Sequence, residues 1–368
     1  MKRILLITEG LGSGGAERQL CGLAVFLKEK GYTVKVVTYS DKLFYLDFLK
    51  SNKVDYENRP SLLNKFLRPF RLVSLYKEYK PDVIISFLTS VNKATCIAQL
   101  FYRKAKLIVS ERNTNQSYTI KDKITFSLYN LSNYIVPNSY SQKNFILKHF
   151  PSYENKVRTI TNFVDLDTFK PAVDYKSKEP NSPLKIVTVA RFTTQKNCLR
   201  YLKAIAKIKE NGIKVRFEWY GNMTFDSIYM KQITDLIKEL SIGDYISLKD
   251  HTNDVVSVYH NADVFCLPSL YEGYPNVVCE AMSCGLPILC SRVCDNPMIV
   301  EEGKNGFMFD PLDVDDICTK IKSISSKDKE SLLSMSEASR EIALQKFSKS
   351  NFINKYLKII NIDNTKNG

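Results

Sequence analysis

The sequence predicts an α/β protein with two doubly wound, Rossmann-like domains, and three observations lead to this fold class. Short apolar segments alternate with segments of helical periodicity, which is the pattern of a parallel sheet covered by helices on both faces. The 368 residues exceed what a single hydrophobic core usually organises. The alternation also stops in a polar stretch with three prolines, residues 169–183, and then starts again. We therefore expect the junction between two domains in that stretch.

The first predicted domain covers residues 1–173, and the second covers residues 184–349. Candidate strands of the first domain are short apolar runs at residues 3–8, 33–39, 82–86, 106–110, 134–137 and 157–160, with helices over 16–30, 91–103 and 139–149. The second domain repeats the pattern with strands at residues 184–190, 215–220, 246–249, 264–268 and 287–291, and helices over 199–210, 228–240 and 276–284. A last amphipathic helix is predicted over residues 350–362.

The composition is typical of a soluble globular protein, with 44% hydrophobic and 25% charged residues. No apolar run approaches the roughly 18 residues that cross a bilayer. The first residues have the basic flank of a signal peptide, but only four apolar residues precede Thr8 and Glu9. The nine cysteines are scattered without the spacing of a zinc site. These features predict a cytoplasmic protein whose cysteines serve in packing.

The positive charge is concentrated in the first half of the chain. Net charge is +14, and residues 1–173 carry 27 Lys and Arg against 14 Asp and Glu. Such a basic half suits an anionic membrane surface or nucleic acid, but we find no nucleic-acid-binding module. Residues 63–80 are compatible with a helix in a lipid interface and, equally, with an amphipathic helix packed on its own sheet. This segment interleaves Lys65, Arg68, Arg71 and Lys77 with Phe66, Phe70 and Leu72.

Two glutamates, Glu272 and Glu280, lie on either side of the predicted start of a helix. Either one alone is typical of a solvated surface. Between them, however, the amides of the first helical turn have no partners within the helix and form an anion site. Carboxylates also accept hydrogen bonds from sugar hydroxyls. The pattern therefore predicts a sugar-nucleotide site, whose other residues are Gly273, Tyr274, Pro275, Asn276, Val277 and Val278.

A glycine-rich loop follows the first strand and permits a different interpretation. Gly10, Gly12 and Gly15 satisfy the spacing of a dinucleotide fingerprint between a strand and a helix. That spacing predicts an NAD-dependent oxidoreductase, here acting on a sugar nucleotide. A dinucleotide site also needs an acidic residue at the end of the second strand. That strand ends near Thr38, and the first acidic residue after it is Asp41, so the expected acid is poorly placed.

The segment of residues 269–288 resembles the donor-site signature of the family 4 glycosyltransferases, including the small residue and the Gly-x-Pro after the second acid. This resemblance implies the GT-B architecture, in which two Rossmann-like domains face each other across a cleft and the second domain holds most of the donor. It also implies that the last helix, over residues 350–362, crosses back onto the first domain.

The resemblance also implies roles for individual side chains. Glu280 binds the ribose of the donor, and Glu272 binds the transferred sugar. Residues 187–197 are similar to the strand and loop that carry two cations in the family, so Arg191 and Lys196 hold the diphosphate. Positive charge fixed there stabilises the departing nucleotide. No catalytic metal is expected.

Two further expectations concern the first domain. The Gly-Gly-Ala-Glu form of the glycine loop looks like the family loop near the donor phosphates and the acceptor, so Gly14 and Gly15 are expected near the phosphates. Glu17 could contact the acceptor, although a role at the start of its own helix is the default. Many family members have a histidine near the transferred sugar, and this chain has Glu111 and Arg112 in that region instead. Either of them, or neither, takes over its orienting role.

The resulting function is retaining transfer of a sugar from a nucleotide sugar, with UDP favoured, by front-face substitution without a dedicated protein base. The expected acceptor is a polyprenyl-diphosphate-linked or other glycan of capsule, O-antigen or exopolysaccharide synthesis. No cofactor is expected, and the anionic inner face of the plasma membrane is a possible partner surface. Two alternatives stay open, the oxidoreductase and a non-catalytic carbohydrate-binding protein on the same fold.

Overall fold

The computed structural model of the protein describes residues 1–172 and 182–362. The chain divides into two compact units. The first contains residues 1–163 together with the chain from Lys349 onward, and the second contains Val164–Ser348. Each unit is built on one parallel six-stranded sheet. The predicted fold class, two doubly wound Rossmann-like domains, is confirmed.

The sheet of the first unit has the strand order 3-2-1-4-5-6, which is the order of dinucleotide-binding folds. Its strands are β1 (Arg3–Ile7), β2 (Thr33–Thr38), β3 (Asp55–Asn58), β4 (Val83–Phe87), β5 (Lys106–Glu111) and β6 (Tyr134–Pro137). Its helices are α1 (Gly15–Glu29), α2 (Leu46–Ser51), α3 (Arg68–Tyr79), α4 (Thr89–Gln99), α5 (Ile120–Leu128), α6 (Tyr140–His149) and α14 (Lys349–Asn361).

Alternation along the strands separates two apolar layers in this unit. Leu6 of β1 packs with α1, α2 and α14, whereas the neighbouring Leu5 packs with α3, α4, α5 and α6. The helix α14 joins the first layer although it is distant in sequence. The Lys106 ammonium donates to the carbonyls of Ile359 and Ile360 at 3.0 and 3.2 Å. A cation at the carboxyl end of a helix favours the helix dipole.

The second unit repeats the same strand order, with its own first strand beside its fourth. Its strands are β7 (Leu184–Val189), β8 (Val215–Tyr220), β9 (Ile246–Lys249), β10 (Val264–Leu267), β11 (Ile288–Ser291) and β12 (Gly306–Phe309). Its helices are α7 (Cys198–Glu210), α8 (Ser227–Glu239), α9 (Val255–His260), α10 (Asn276–Ser283), α11 (Asn296–Ile299), α12 (Val314–Ser325) and α13 (Lys329–Lys346). Helices α7, α8 and α12 cover one face, and α9, α10 and α13 cover the other.

Three strand assignments differ from the sequence-based expectation. Strand β3 was not predicted because its sequence, Asp-Tyr-Glu-Asn, is polar and lies at a sheet edge. Strand β12, also at an edge, begins with a glycine and has only four residues. Residues 157–160, predicted as a strand, make only an isolated bridge between Val157 and Ile135. Their apolar side chains are buried without continuous pairing to the sheet.

The boundary between the units also differs from the predicted end of the first domain at residue 173. Val164 and Phe169 bury their side chains in the core of the second unit. The Val164 amide also donates to the Phe347 carbonyl at 3.0 Å. The second unit therefore begins before the prolines that marked the expected junction. Residues 173–181 of that junction lie outside the described residues.

No helix within residues 1–172 and 182–362 is both long enough and apolar enough to cross a bilayer.

Candidate active site

The loops after β7 and β10 lie at the point where the strand order of the second sheet reverses. The chain leaves β7 toward β8 on one side, while β10 pairs with β7 on the other. Loops that diverge in this way at the carboxyl ends of parallel strands leave a crevice, which is the usual ligand site of such sheets. Arg191 and Lys196 belong to the first loop, and Glu272 belongs to the second.

Backbone hydrogen bonds hold these two loops together. The Leu270 amide donates to the Gln195 carbonyl at 2.8 Å, and the Gln195 side-chain amide donates to the Tyr271 carbonyl at 2.9 Å. Asn197 adopts a left-handed conformation, with φ of 60°, and its side chain donates to the Pro311 carbonyl. These contacts fix the backbone on either side of Lys196.

Lys196 and Glu272 form an ion pair within this crevice. The Lys196 Nζ lies 2.5 Å from Glu272 Oε1, and the two side chains are 12% and 10% exposed. The sequence predicted that both residues face one ligand, and the structure places them in direct contact. Sequence reasoning did not anticipate that they pair with each other.

Helix α10 begins directly after this pair. Pro275 is its N-cap, and no side chain caps its first turn. No acidic residue lies in that turn either, so the positive end of the helix dipole is not offset locally. The amides of Asn276, Val277 and Val278 belong to this turn, while the side chains of Val278 and Tyr274 are buried in the core. Val278, whose side chain is fully buried, can therefore meet a ligand only through its backbone.

Glu280 lies further along α10 and is 4% exposed. Its Oε2 accepts a hydrogen bond from the Tyr259 hydroxyl at 3.2 Å. The alternative that Glu280 is a solvated surface residue is wrong. Tyr259 was not identified from the sequence, since nothing in the short helix α9 distinguishes it from a core aromatic residue. The contact orients one carboxylate oxygen of Glu280.

Arg191 is exposed at the end of β7, and its guanidinium lies 5.3 Å from the ring centre of Phe225. Phe225 follows β8 and is 56% exposed. Beside it, a Cβ at Gly221 would approach the Ala190 carbonyl oxygen to 2.2 Å, so only glycine fits there. Phe225 was not predicted as a site residue, because single aromatic residues in loops carry no recognisable signal.

Two hydroxyl groups near the ion pair are buried without a hydrogen-bond partner among the described residues. They are Thr193 Oγ1, on the loop after β7, and Ser269 Oγ, on the loop after β10. Buried hydroxyls normally have a partner, so these two are unusual features of the loops that carry Lys196 and Glu272. Ser269 is the first residue of the donor-site segment, residues 269–288, but the sequence assigns it no individual role.

In the first unit, the glycine loop leads into α1. Gly14 is the N-cap of this helix, and a Cβ at Gly14 would approach Glu17 Oε2 to 2.3 Å. The Glu17 carboxylate thus lies over the start of its own helix, as the default interpretation predicted. The adjoining strand β2 ends at Thr38, whose hydroxyl bonds the Tyr56 hydroxyl at 2.9 Å. A dinucleotide site would have an acid at that position.

Glu111 lies at the end of β5 and is 2% exposed. Its carboxylate accepts hydrogen bonds from the Thr89 hydroxyl and the Asn92 amide, both at 3.1 Å, and from the Tyr129 hydroxyl. Burial raises the pKa of this carboxyl, and these three donors act in the opposite direction. The Glu111 carboxylate is therefore buried and bonded to side chains of its own unit.

Arg112 is buried next to it, and its guanidinium is only partly satisfied. One nitrogen, Nη2, donates to Asn162 Oδ1 at 2.8 Å, and the group lies 4.8 Å from the ring centre of Phe87. Among the described residues, Nε and Nη1 have no hydrogen-bond partner. Burial lowers the pKa of Arg112. Such an arginine costs stability, which makes a purely structural role a poor explanation for it.

Residues 1–172 and 182–362 contain no group of three or more His, Cys, Asp and Glu side chains placed to hold a metal ion.

Two protein-family models match the chain in succession. Glycosyltransferase Family 4 matches residues 13–168, and Glycosyl transferases group 1 matches residues 170–342. The chain belongs to the family 4 glycosyltransferases. As a glycosyltransferase it is an enzyme, so the oxidoreductase and the non-catalytic interpretations are both set aside.

Two N-acetylgalactosaminyltransferases of Campylobacter jejuni are similar to this glycosyltransferase. One is named N-acetylgalactosamine-N,N'-diacetylbacillosaminyl-diphospho-undecaprenol 4-alpha-N-acetylgalactosaminyltransferase and is 25% identical over 79% of this chain and 81% of its own length. The other, named GalNAc-alpha-(1->4)-GalNAc-alpha-(1->3)-diNAcBac-PP-undecaprenol alpha-1,4-N-acetyl-D-galactosaminyltransferase, is 28% identical over 77% of each chain.

Two solved structures share the fold over nearly the whole chain. Anabaena Alr3699/HepE in complex with UDP and glucose has a TM-score of 0.84 at 18% identity, covering 99% of this chain and 100% of that one. A glycosyltransferase from Rickettsia africae has a TM-score of 0.81 at 19% identity, covering 98% and 97%. The GT-B fold class predicted from the sequence is thereby confirmed.

Proposed function

We propose that this glycosyltransferase is a retaining enzyme that transfers a sugar from a UDP-sugar to a polyprenyl-diphosphate-linked glycan. The pathway would be assembly of a bacterial surface polysaccharide such as a capsule, O-antigen or exopolysaccharide. Three similarities support the proposal. Both Campylobacter relatives are named for undecaprenol-diphosphate acceptors, and the Anabaena structure contains UDP and glucose.

One observation carries the proposal most directly, namely the position of the Lys196–Glu272 pair at the uncapped start of α10. A diphosphate on the first-turn amides would be within reach of the Lys196 ammonium, since that ammonium contacts the loop leading into the helix. Arg191 follows β7 on the same loop and would supply a second cation. Helix amides and fixed cations stabilise the charge that develops on a departing diphosphate. With these groups the reaction needs no metal ion.

The two carboxylates of this site, Glu272 and Glu280, bind different parts of the donor. Glu280, oriented by Tyr259, accepts hydrogen bonds from the two ribose hydroxyls. Glu272 exchanges its contact with Lys196 for hydroxyls of the transferred sugar, while Lys196 turns to the diphosphate. The unpartnered hydroxyls of Thr193 and Ser269 become satisfied in the same complex.

In the reaction, the bond between the sugar C1 and the β-phosphate oxygen breaks, and the acceptor oxygen bonds to C1 from the same face. The acceptor proton passes to the leaving phosphate oxygen, and UDP is released. Among the described residues of this site no carboxylate is left over as a base, because in the complex Glu272 binds the hydroxyls of the transferred sugar and Glu280, which accepts from Tyr259, binds the ribose. Departure and attack on one face retain the configuration at C1.

The experiment is transfer from a panel of UDP-sugars to a synthetic polyprenyl-diphosphate glycan, with the product configuration read by NMR. We expect the wild type to form one α-linked product from a UDP-α-sugar, and Glu272→Ala to fold but to lose at least a hundredfold in kcat/KM. Glu239→Ala, an exposed glutamate on α8, is the matched control and should be fully active. A β-linked product would refute the retaining mechanism, and an unchanged rate in Glu272→Ala would refute the assigned site.

A further inference from the structure

A group of apolar side chains is exposed where α3 begins and where α4 ends. Phe66 is 89% exposed, and Phe70 and Phe101 are each 58% exposed. The rings of Phe70 and Phe101 are 5.7 Å apart, so these residues form one surface rather than scattered positions. We call this surface the aromatic patch, and it comprises Leu63, Phe66, Leu67, Phe70, Leu100 and Phe101.

The local backbone holds this patch outward. Asn64 Oδ1 accepts hydrogen bonds from the amides of Phe66 and Leu67 at 3.1 and 3.2 Å, which fixes the turn before α3. Arg68 points the other way, is buried, and donates to the Leu62 carbonyl at 2.6 Å. The helix itself packs on the sheet through buried residues such as Leu72. The segment is thus an amphipathic helix packed on its own sheet, and its opposite face leaves apolar side chains exposed.

The two segments that carry the aromatic patch also carry exposed basic residues. Lys65, Lys77, Arg103 and Lys104 are exposed. Residues 61–77 and 83–110 contain no Asp or Glu at all. Over the whole first unit, 30 Lys and Arg stand against 13 Asp and Glu, a net charge of +17, whereas the second unit has a net charge of −3. The charge asymmetry follows the structural units more sharply than it follows the halves of the sequence.

Helix α5 extends the same character to the neighbouring helix. Ile120 and Ile124 are one turn apart and are 80% and 58% exposed. Lys121 and Lys123, beside them, are exposed as well. Helix α5 packs against α4, and α3, α4 and α5 share one apolar layer on a single face of the sheet. The exposed isoleucines therefore belong to the same side of the unit as the aromatic patch.

We propose that this side of the first unit binds an anionic membrane surface, with the aromatic patch inserted at the headgroup level. Exposed apolar side chains of this number on one face mark an interaction surface. Aromatic residues favour the bilayer interface, and nearby lysines and arginines are attracted to an anionic leaflet. The positive charge of this face argues against a second copy of this chain as its partner, since two such faces would repel each other. Only the purpose of the contact, access to a lipid-linked acceptor, rests on the proposed function.

The test is co-sedimentation of the full chain with vesicles of phosphatidylcholine alone or with phosphatidylglycerol, at low and high salt. We expect binding to the anionic vesicles that weakens as salt screens the charges. Phe66→Ser with Phe70→Ser should reduce the partition coefficient about tenfold or more on anionic vesicles. Lys77→Glu with Lys104→Glu should reduce it by a similar factor at low salt only.

Leu344→Ser, an exposed leucine on α13 of the second unit, is the matched control and should bind as the wild type does. Because the substituted side chains are exposed, thermal unfolding and UDP binding should stay unchanged in every variant. Equal binding by the wild type and the double-serine variant would overturn the proposal. So would a dimer in lipid-free solution that the double-serine variant abolishes. UDP binding without vesicle binding would refute the membrane surface alone, whereas vesicle binding without UDP binding would refute the donor site alone.

Discussion

Lys196 Nζ lies 2.5 Å from Glu272 Oε1, and this ion pair joins the loop after β7 to the loop after β10. The two groups that we assign to different parts of the donor therefore neutralise each other in the free protein. Neither charge is left isolated in the crevice before the ligand arrives. Donor binding would replace one internal contact with separate contacts to diphosphate and sugar.

The pairing predicts that stability and activity respond differently to single and double substitution. Lys196→Met or Glu272→Met leaves one charge buried alone and should lower the free energy of unfolding by about 3–5 kcal/mol. The double variant removes both charges and should recover most of that loss while remaining inactive. Urea denaturation and a transfer assay measure the two quantities. A double variant with the summed loss of both single variants would show that the pair is not coupled.

The contact between Tyr259 and Glu280 predicts an effect on nucleotide affinity. Tyr259→Phe removes one hydrogen bond to a carboxylate and should weaken UDP binding about fivefold, or roughly 1 kcal/mol, in calorimetry. Tyr153→Phe is the control, since its hydroxyl donates to the Phe126 carbonyl in the first unit. It loses a comparable bond and should keep UDP affinity. Equal affinity in the wild type and Tyr259→Phe would remove Tyr259 from the site.

Replacing the buried, partly satisfied Arg112 should change stability and activity in opposite directions. Two of its nitrogens are buried without a partner among the described residues, which costs roughly 1–3 kcal/mol for each group. Arg112→Met keeps the contact with Phe87 and should raise the melting temperature by a few degrees. If Arg112 orients substrate, the same variant should lose at least tenfold in kcat/KM. Lower stability with full activity would instead assign Arg112 a structural role.

Glu111 predicts a pH dependence of stability. Burial raises its pKa in the folded state, so folding favours the protonated form. The free energy of unfolding of the wild type, compared with that of Glu111→Gln, should be highest at pH values below the ordinary glutamate pKa. That advantage should decline as pH rises through the raised pKa. Urea denaturation from pH 4 to pH 8 measures the difference, with the exposed Glu210→Gln as the control. A difference that grows with pH would contradict the sign.

Most of the fold could be predicted from the sequence, because buried parallel strands are continuous apolar runs. Strand β8 (Val215–Tyr220) and strand β6 (Tyr134–Pro137) have the predicted bounds. Strand β3 could not be found, because polar edge strands are stabilised by pairing with a neighbour, which local sequence does not show. The end of the first unit was missed for a similar reason, since Val164 and Phe169 pack on residues far along the chain.

The candidate site was only partly predictable for a related reason. Glu272, Lys196 and Glu280 stand in sequence patterns that carry their own signal. Tyr259 and Phe225 do not, because only the folded chain brings them to Glu280 and Arg191. The burial of Glu111 could not be predicted either, because its partners Thr89, Asn92 and Tyr129 lie on other elements.

The most direct test of the donor site is calorimetric titration of UDP into the wild type, Asn276→Ala and Asn276→Pro. Proline is tolerated at the first position of a helix, so Asn276→Pro keeps α10 and deletes one backbone N–H. We expect UDP to bind the wild type and Asn276→Ala with similar affinity, and to bind Asn276→Pro about tenfold more weakly. Equal affinity for the alanine and proline variants, or no binding of UDP to the wild type, would contradict a diphosphate at the start of α10.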